Sequence, residues 1–412
     1  MAEVYWNFVS AGTPLILSDF DIATDLKVEM YLPLDIFNPF ILGISLMGGH
    51  DVLDGDLIPS ADWDWQPIES TVAECSISIG GTVESNLFYQ PDAGTLSVLL
   101  QSFDYDPSVN SAIRAGARIR VRLERGAVNE TLFNGFVDSI NVDYYSAGNQ
   151  LNKVQIRAYD AYKRLVNSRV STFDTTGLPA AYATPLEVLT EAVTEAGYAV
   201  SSSSVDVAGK LPKELATDTI VSGFINDAVQ VGLGLVWVDP TSGEIVLAER
   251  PSTTTAPPGM FTVGNNHGDA NHLCMSDITV NADADAVYNS LKVSMSSDAA
   301  TYVIRSDEAS ITLFGETSKD LAINAYDSAE LTRWVEDVFT ISPTKLVRSV
   351  ETPTIDRLGN LTEAATLTPG TTIGVKYSRD PLAIDAIYAV TRVSHNIDVN
   401  NWFTTLELWK GQ

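Results

Sequence analysis

Two stretches far apart in the chain carry one pattern. Gly116, Ile119 and Val121, then Val137 and Ile140, then Val154 and Ile156 are answered by Gly370, Ile373 and Val375, then Val390 and Val393, then Leu406 and Leu408. The spacings within each run are identical, and residues two apart share one face of a β-strand. A chain that repeats such a run is constrained to build the same β unit twice. "ARIRVRLER" makes the alternation explicit, with Ile119, Val121 and Leu123 on one face and Arg118, Arg120 and Arg122 on the other. In the second copy His395 occupies the position of Val142, and "VNNW" replaces "SAGN" as the hairpin turn. A histidine that stands in for a valine is read as a strand residue of a closing hairpin with Trp402, not as a general base.

Between the copies the pattern changes. "YATPLEVLTEAVTEAGY" begins with Thr184 as N-cap, Pro185 at the first helical position and Glu187 to complete a capping box. Leu186, Leu189 and Val193 form its apolar stripe, and Gly197 suits the left-handed stop. A second helix is expected over about Asp218 to Val231, then a hairpin in "GLVWVDPTSGEIVLAE" that turns at Asp239 to Gly243. "RPSTTTAPPG" is a connector, and "DSAELTRWVEDVFT" is a further helix capped by Asp327. The expected fold class is mainly β with a small α/β module: two tube-like β-barrels related by duplication, plus inserted helical and α/β segments. The boundaries follow as an acidic extension over 1–70, a first barrel over 71–170 and an α/β domain over 171–258. A β-rich domain over 259–349 has its helix at about 327–340, and strands over 350–412 complete the second barrel.

Charge narrows the function. The chain has 53 acidic and 25 basic residues, a net charge of −28, and Lys27 is its only basic residue before Arg114. Such a field repels phosphate backbones and anionic membranes, so stable nucleic-acid binding is not expected. The Arg118, Arg120 and Arg122 face has no interleaved aromatics, and a salt-bridged barrel exterior or subunit contact is expected there. No apolar run is long enough to span a bilayer, the opening "MAEVYWNFVS" has no basic n-region, so export is not expected, and two distant cysteines, Cys75 and Cys274, fit free thiols of a reduced compartment.

No catalytic motif, cofactor fingerprint or metal-finger spacing occurs. "HGDANHLC" brings His267, Asp269, His272 and Cys274 close, but their spacing is that of no strong zinc site. "DGDLIPSADWDW" and "NADADA" lack the glycine and final glutamate of a calcium loop. Catalysis, cofactors and resident metals are therefore not expected.

The pieces "AGTLSVLL", "DPSVNSAIRAGARIRV", "LFNGFVDSI", "VQIRAYDAYKRL", "DAVYNSLKVS", "EASITLFGE" and the closing "VTRVSHNIDVNNWFTTLEL", in that order, resemble the tail-tip or baseplate hub proteins of long-tailed phages, the minor tail protein family. The resemblance covers roughly residues 72 to 412 and leaves 1 to about 70 without a counterpart. It implies a homotrimeric ring in the virion, assembled in the host bacterial cytoplasm, whose six similar barrels cap a sixfold tail tube. Implied partners are the distal tail protein, the tape-measure protein and receptor-binding tip proteins, with DNA only in transit and no stable membrane insertion. Without a fibre or wall-degrading domain, host contact is expected from another protein. Two alternatives stay open: a distal tail protein ring with one tube-like barrel per subunit, or a virion-associated protein that binds or hydrolyses glycans. If the ring carries DNA, an acidic lumen is expected, with Glu84, Asp92, Asp104 and Asp106 as candidates.

Overall fold

The computed structural model describes residues 22–33, 63–68, 71–84, 88–101, 105–108, 112–125, 128–144, 152–170, 181–213, 219–265, 271–281, 288–341, 349–356, 363–379, 382–399 and 401–409. The chain starts with a helical turn, α1 (Ile22–Asp25). Strands β1 (Leu26–Pro33), β2 (Trp63–Pro67), β3 (Thr71–Glu84), β4 (Phe88–Pro91), β5 (Thr95–Gln101), β6 (Arg118–Arg125), β7 (Val128–Asp143) and β8 (Lys153–Tyr159) follow, then α2 (Ala161–Leu165). They form an antiparallel array in the order β3-β5-β8-β7-β6-β1-β2, with β4 on β3. Alternation is regular: in β5 and β6 every second side chain is buried, and Leu96, Val98, Leu100, Ile119, Val121 and Leu123 enter one core.

The described part of the extension expected over 1–70 is integral to this unit: β1 lies antiparallel to β6 and puts Leu26, Val28, Met30 and Leu32 into that core. On the opposite face Glu29, itself buried, meets Arg120 Nε at 2.5 Å and Arg122 Nε at 3.0 Å. The arginine face is also not free of aromatics. Trp65 of β2 lies under the guanidinium groups of Arg118 and Arg120, at 5.4 and 4.2 Å from its ring centroid.

The middle module holds β9 (Arg169–Val170), α3 (Pro185–Glu195), β10 (Thr219–Ile220), α4 (Val221–Gly232), β11 (Leu235–Val238) and β12 (Ile245–Ala248). The capping box forms as the sequence requires: Glu187 N–H donates to Thr184 Oγ1 at 3.3 Å, and Thr184 N–H donates to Glu187 Oε2 at 2.8 Å. Helix α4 starts later than expected because Thr219 and Ile220 pair with β9 first.

Next come β13 (Phe261–Gly264), β14 (His272–Asn281), β15 (Ser290–Met295), β16 (Tyr302–Ser306), α5 (Glu308–Phe314), β17 (Ser318–Ile323) and α6 (Ser328–Ile341). The chain ends in β18 (Ser349–Asp356), β19 (Thr372–Arg379), β20 (Leu382–Asp398) and β21 (Trp402–Trp409). Residues 259–349 are not one domain. Strands β13 and β14 belong with the C-terminal strands, in a six-stranded closed ring of order β19-β13-β14-β18-β21-β20 that returns to β19. The intervening β15, β16 and β17 form a separate three-stranded sheet, covered by α6 through Leu331, Trp334, Val335 and Val338. Trp334 anchors this insertion on α4, its Nε1–H donating to Gln230 O at 2.7 Å. Asp327 Oδ1 accepts from Glu330 N–H at 2.8 Å, as its capping position predicts.

The repeat pattern needs one correction. Ile140 faces Ile156 and Val393 faces Leu406, so Leu406 answers Ile156, and Thr404, not Leu406, answers Val154. The third strand was displaced by two residues because the bulges that set its register leave no mark on the apolar pattern.

Candidate functional site: the junction of the two β units

The two β units meet where β20 continues into β3, with Arg392 opposite Gly80, Ser394 opposite Ser78, Asn396 opposite Ser76 and Asp398 opposite Glu74. On the outer face Ser76 Oγ donates to Asn396 Oδ1 at 3.0 Å, and the Ser78 and Ser394 hydroxyls lie 3.0 Å apart. On the inner face Ile397 and Trp402 join the core of the first unit. Gly80 is required here: its φ is +111°, and a Cβ would sit 2.2 Å from Thr391 O. Arg392 ties the units from outside, with Nη1 3.1 Å from Glu407 Oε1 and Nη2 paired with Asp92.

Behind this seam His395 is 3% exposed and Trp402 1% exposed. The indole Nε1–H lies 3.3 Å from His395 Nδ1, and Thr404 Oγ1 lies 2.9 Å from the same nitrogen. An indole N–H can only donate, so Nδ1 holds the lone pair and the ring proton sits on Nε2. Burial pushes the imidazole down to about 4. A ring that is neutral at pH 7, with its lone pair taken up by a tryptophan and a threonine, is a packing element and a poor general base. It lines a crevice with Glu130, the Asp239–Thr241 turn and the Thr366–Pro369 loop.

The α/β module is fastened to the same junction. A Cβ on Gly370 would come within 3.0 Å of the Trp237 ring, and one on Gly243 within 3.3 Å of Asn134. Tyr89 Oη–H donates to Val236 O at 2.9 Å. Asp160 caps α2, with Gly94 N–H donating to Oδ2 at 2.8 Å and Tyr162 N–H to Oδ1 at 3.0 Å. Burial outweighs these bonds and raises its carboxyl to about 7.

The repeat residues fall at matched places. Gly116 (φ +87°) donates its N–H to Val137 O at 2.7 Å, and Gly370 (φ +83°) to Val390 O at 2.9 Å. In return Val137 N–H donates to Ala117 O and Val390 N–H to Thr371 O, both at 2.8 Å. A bulge follows Val137 in the β7–β8 register and Val390 in the β20–β21 register. Ile119, Val121, Ile373, Val375, Val393 and Leu406 are buried, and Ile140 is half-buried against the first core.

Two of the four acidic candidates fall among the described residues. The Glu84 side chain and Asp104 lie outside the described residues. Asp92 is spent on Arg392. Asp106 is buried, and although burial opposes its charge, Ser108 N–H and Oγ–H (2.8 and 2.7 Å) with Tyr144 hold its carboxyl below the usual range. His267 and Asp269 also lie outside the described residues, while His272 and Cys274 sit two apart on β14. Among the described residues no group of three or more His, Cys, Asp or Glu side chains converges, and no helix is long and apolar enough to cross a membrane.

No family model and no curated protein matches the chain. Solved structures do. A tail protein from Neisseria meningitidis MC58 superposes with a TM-score of 0.58 at 12% identity, covering 94% of this chain and 97% of its own. The 43 kDa tail protein of prophage MuSo2 from Shewanella oneidensis gives 0.54 at 10% identity, covering 84% and 95%. Prophage tail protein gp18 from Listeria monocytogenes EGD-e gives 0.50 at 11%, covering 84% and 91%. The chain therefore has the fold of phage tail proteins.

Proposed function

We propose that this chain is a structural hub of a phage tail tip: three copies form a ring that caps the tail tube, adapts it to the host-binding tip and opens for tape-measure protein and DNA to leave. The observation that carries the reading is the strand order. β3-β5-β8-β7-β6 in the first unit and β14-β18-β21-β20-β19 in the second run through the same sequence of antiparallel pairings. Their glycine corners and bulges coincide as well. Two units of one design per subunit give a threefold ring six quasi-equivalent faces, which is what a sixfold tube requires of its cap. The likeness in fold to tail proteins supports the same reading, and so does a junction built from packed side chains. The role is structural, the location the virion, and the partners other tail components. Mass measurement of the purified protein by light scattering, with class averages of the assembled tip, tests it. Three subunits showing six similar lobes support the hub; a hexamer with one barrel-bearing lobe per subunit favours a distal tail ring and refutes it.

A further inference from the structure

On the outer face of the first unit, aromatic rings and cations alternate along one line. Trp65 stands opposite Tyr31 across β2 and β1, and Phe136 stands opposite Arg118 on one side and Tyr159 on the other across β6, β7 and β8. Arg118 joins the two sets, its guanidinium 5.4 Å from the Trp65 centroid and 5.9 Å from that of Tyr31. Helix α2 lays two more cations on the far end, Arg164 3.4 Å over Phe136 and Lys163 4.9 Å over Tyr159. Arg164 Nη2 also donates to Gly116 O at 3.5 Å, and Arg114 belongs to the same corner turn, its carbonyl accepting from Ala117 N–H at 3.2 Å. We infer that this corner, with Arg114, Arg118, Lys163 and Arg164, docks a carboxylate-rich stretch of a second polypeptide. The inference goes beyond the hub reading and needs no ring.

All four residues are exposed, and none is ion-paired among the described residues. Further along β6, Arg120 and Arg122 show the contrast, since both are held by Glu29. The carboxylates lining the crevice at the corner are exposed Asp138 and buried Asp160, and Asp160 is already taken by the N–H groups of Gly94 and Tyr162. Acidic residues outnumber basic ones 53 to 25 in this chain, so a corner with four cations and one free carboxylate inverts its average surface. Such an inversion attracts and orients an acidic partner. The corner is also open where its duplicate is filled. At Gly370 the Trp237 ring comes within 3.0 Å of the place a Cβ would take, whereas at Gly116 only Arg164 Nη2, at 3.8 Å, lies within 4 Å of that place among the described residues. A crevice of about 250 Å³ remains there, lined by Gly116, Phe136, Tyr159, Lys163 and Arg164.

Two observations favour a polypeptide over a nucleic acid. Bases bind by stacking on free aromatic faces, and here Trp65, Phe136 and Tyr159 each already carry a cation. A net charge of −28 also opposes a long phosphate backbone, which cannot confine itself to one corner, whereas a short acidic segment can. A guanidinium stacked on a ring keeps its N–H edge free and oriented, which suits bidentate carboxylates. The line from Arg118 to Tyr159 spans two strand spacings, about 10 Å, which an extended chain crosses in about three residues at about 3.4 Å each. Alternate side chains of such a chain share a face, so acids two apart reach Arg118 at one end and Arg164 and Lys163 at the other.

Fluorescence anisotropy of a fluorescein-labelled oligoglutamate titrated with the full chain tests this, at about 0.1 M salt, where a Debye length of about 10 Å screens the acidic remainder of the molecule. The wild type is expected to bind oligoglutamate and not oligoglutamine. Arg118→Glu combined with Arg164→Glu should weaken binding by about tenfold or more, because two attractive pairs become two repulsive ones. Arg379→Glu makes the same charge change at an exposed position on β19 of the other unit and should leave the affinity unchanged. If the double variant melts early, Lys163→Glu, at an exposed position of α2, decides in its place: a several-fold loss upholds the docking and an unchanged affinity overturns it. No binding by the wild type, or an equal loss in Arg379→Glu, also overturns it. Tighter binding of oligothymidylate than of oligoglutamate overturns it in favour of a nucleic acid. Self-association that is lost in the double variant, without peptide binding by the wild type, overturns it in favour of a second copy.

Discussion

Replacing Trp402 by alanine tests whether the closing hairpin is structural. The side chain is fully buried, packs in the core of the first unit although it belongs to the last strand, and stands edge-on to His395 with centroids 5.7 Å apart. Trimming a buried tryptophan to alanine costs about 3–5 kcal/mol in lost transfer and cavity energy. Loss of the N–H donor to His395 adds little, because Thr404 still reaches the same nitrogen. Cys75 is a natural reporter: it is 0% exposed, lies opposite Ile397 across the seam and shares this core, and burial lifts its thiol to about 12. It reacts with a maleimide only when the seam opens. In a Cys274→Ser background the opening-limited labelling rate should rise by about two to nearly four orders of magnitude, at roughly 1.4 kcal/mol per factor of ten. Trp402→Phe, which keeps most of the volume, should give a much smaller rise. A change below about tenfold for the alanine variant would refute the packing account, since no cavity of that size is so cheap.

Three further outcomes follow from the same junction. His395 has its folded pKa depressed from 6.5 to about 4, so the unfolded chain binds more protons between those values; stability should fall as pH drops through this window, by up to about 1.4 kcal/mol per unit, and His395→Gln should flatten the slope in urea melts. Asp160 has the opposite sign: its folded pKa is raised from 3.8 to about 7, so its contribution is present below pH 4, is lost as pH rises to 7 and is constant above it, and Asp160→Asn should remove that fall in the same melts. Gly80→Ala places a Cβ 2.2 Å from Thr391 O on a backbone at φ +111°, and limited proteolysis of this variant should begin at the junction, whereas Gly197→Ala, with open space around its Cβ site, should pay only the strain of its positive φ and leave the junction resistant.

How much of this was legible in the sequence depended on the distance between partners. The capping box at Thr184 and Glu187, the Asp327 cap and the Asp239–Gly243 turn involve neighbours within a few residues, so composition alone located them. Alternation in β6 and β19 placed Ile119, Val121, Ile373 and Val375 inward because a half-buried strand can satisfy its pattern in only one way. What could not be read was which strands pair. β1 is the neighbour of β6 although most of a sheet intervenes in the chain, and Trp65 comes to lie over Arg118 and Arg120 only once that pairing exists. The insertion between β14 and β18 likewise hid the fact that β13 and β14 complete the second ring, because it carries strands and a helix of its own. The partners of the two described acidic candidates were hidden for a related reason. A carboxylate's role is set by what reaches it, and Arg392 reaches Asp92 from the far end of the chain while Ser108 reaches Asp106 from two residues away.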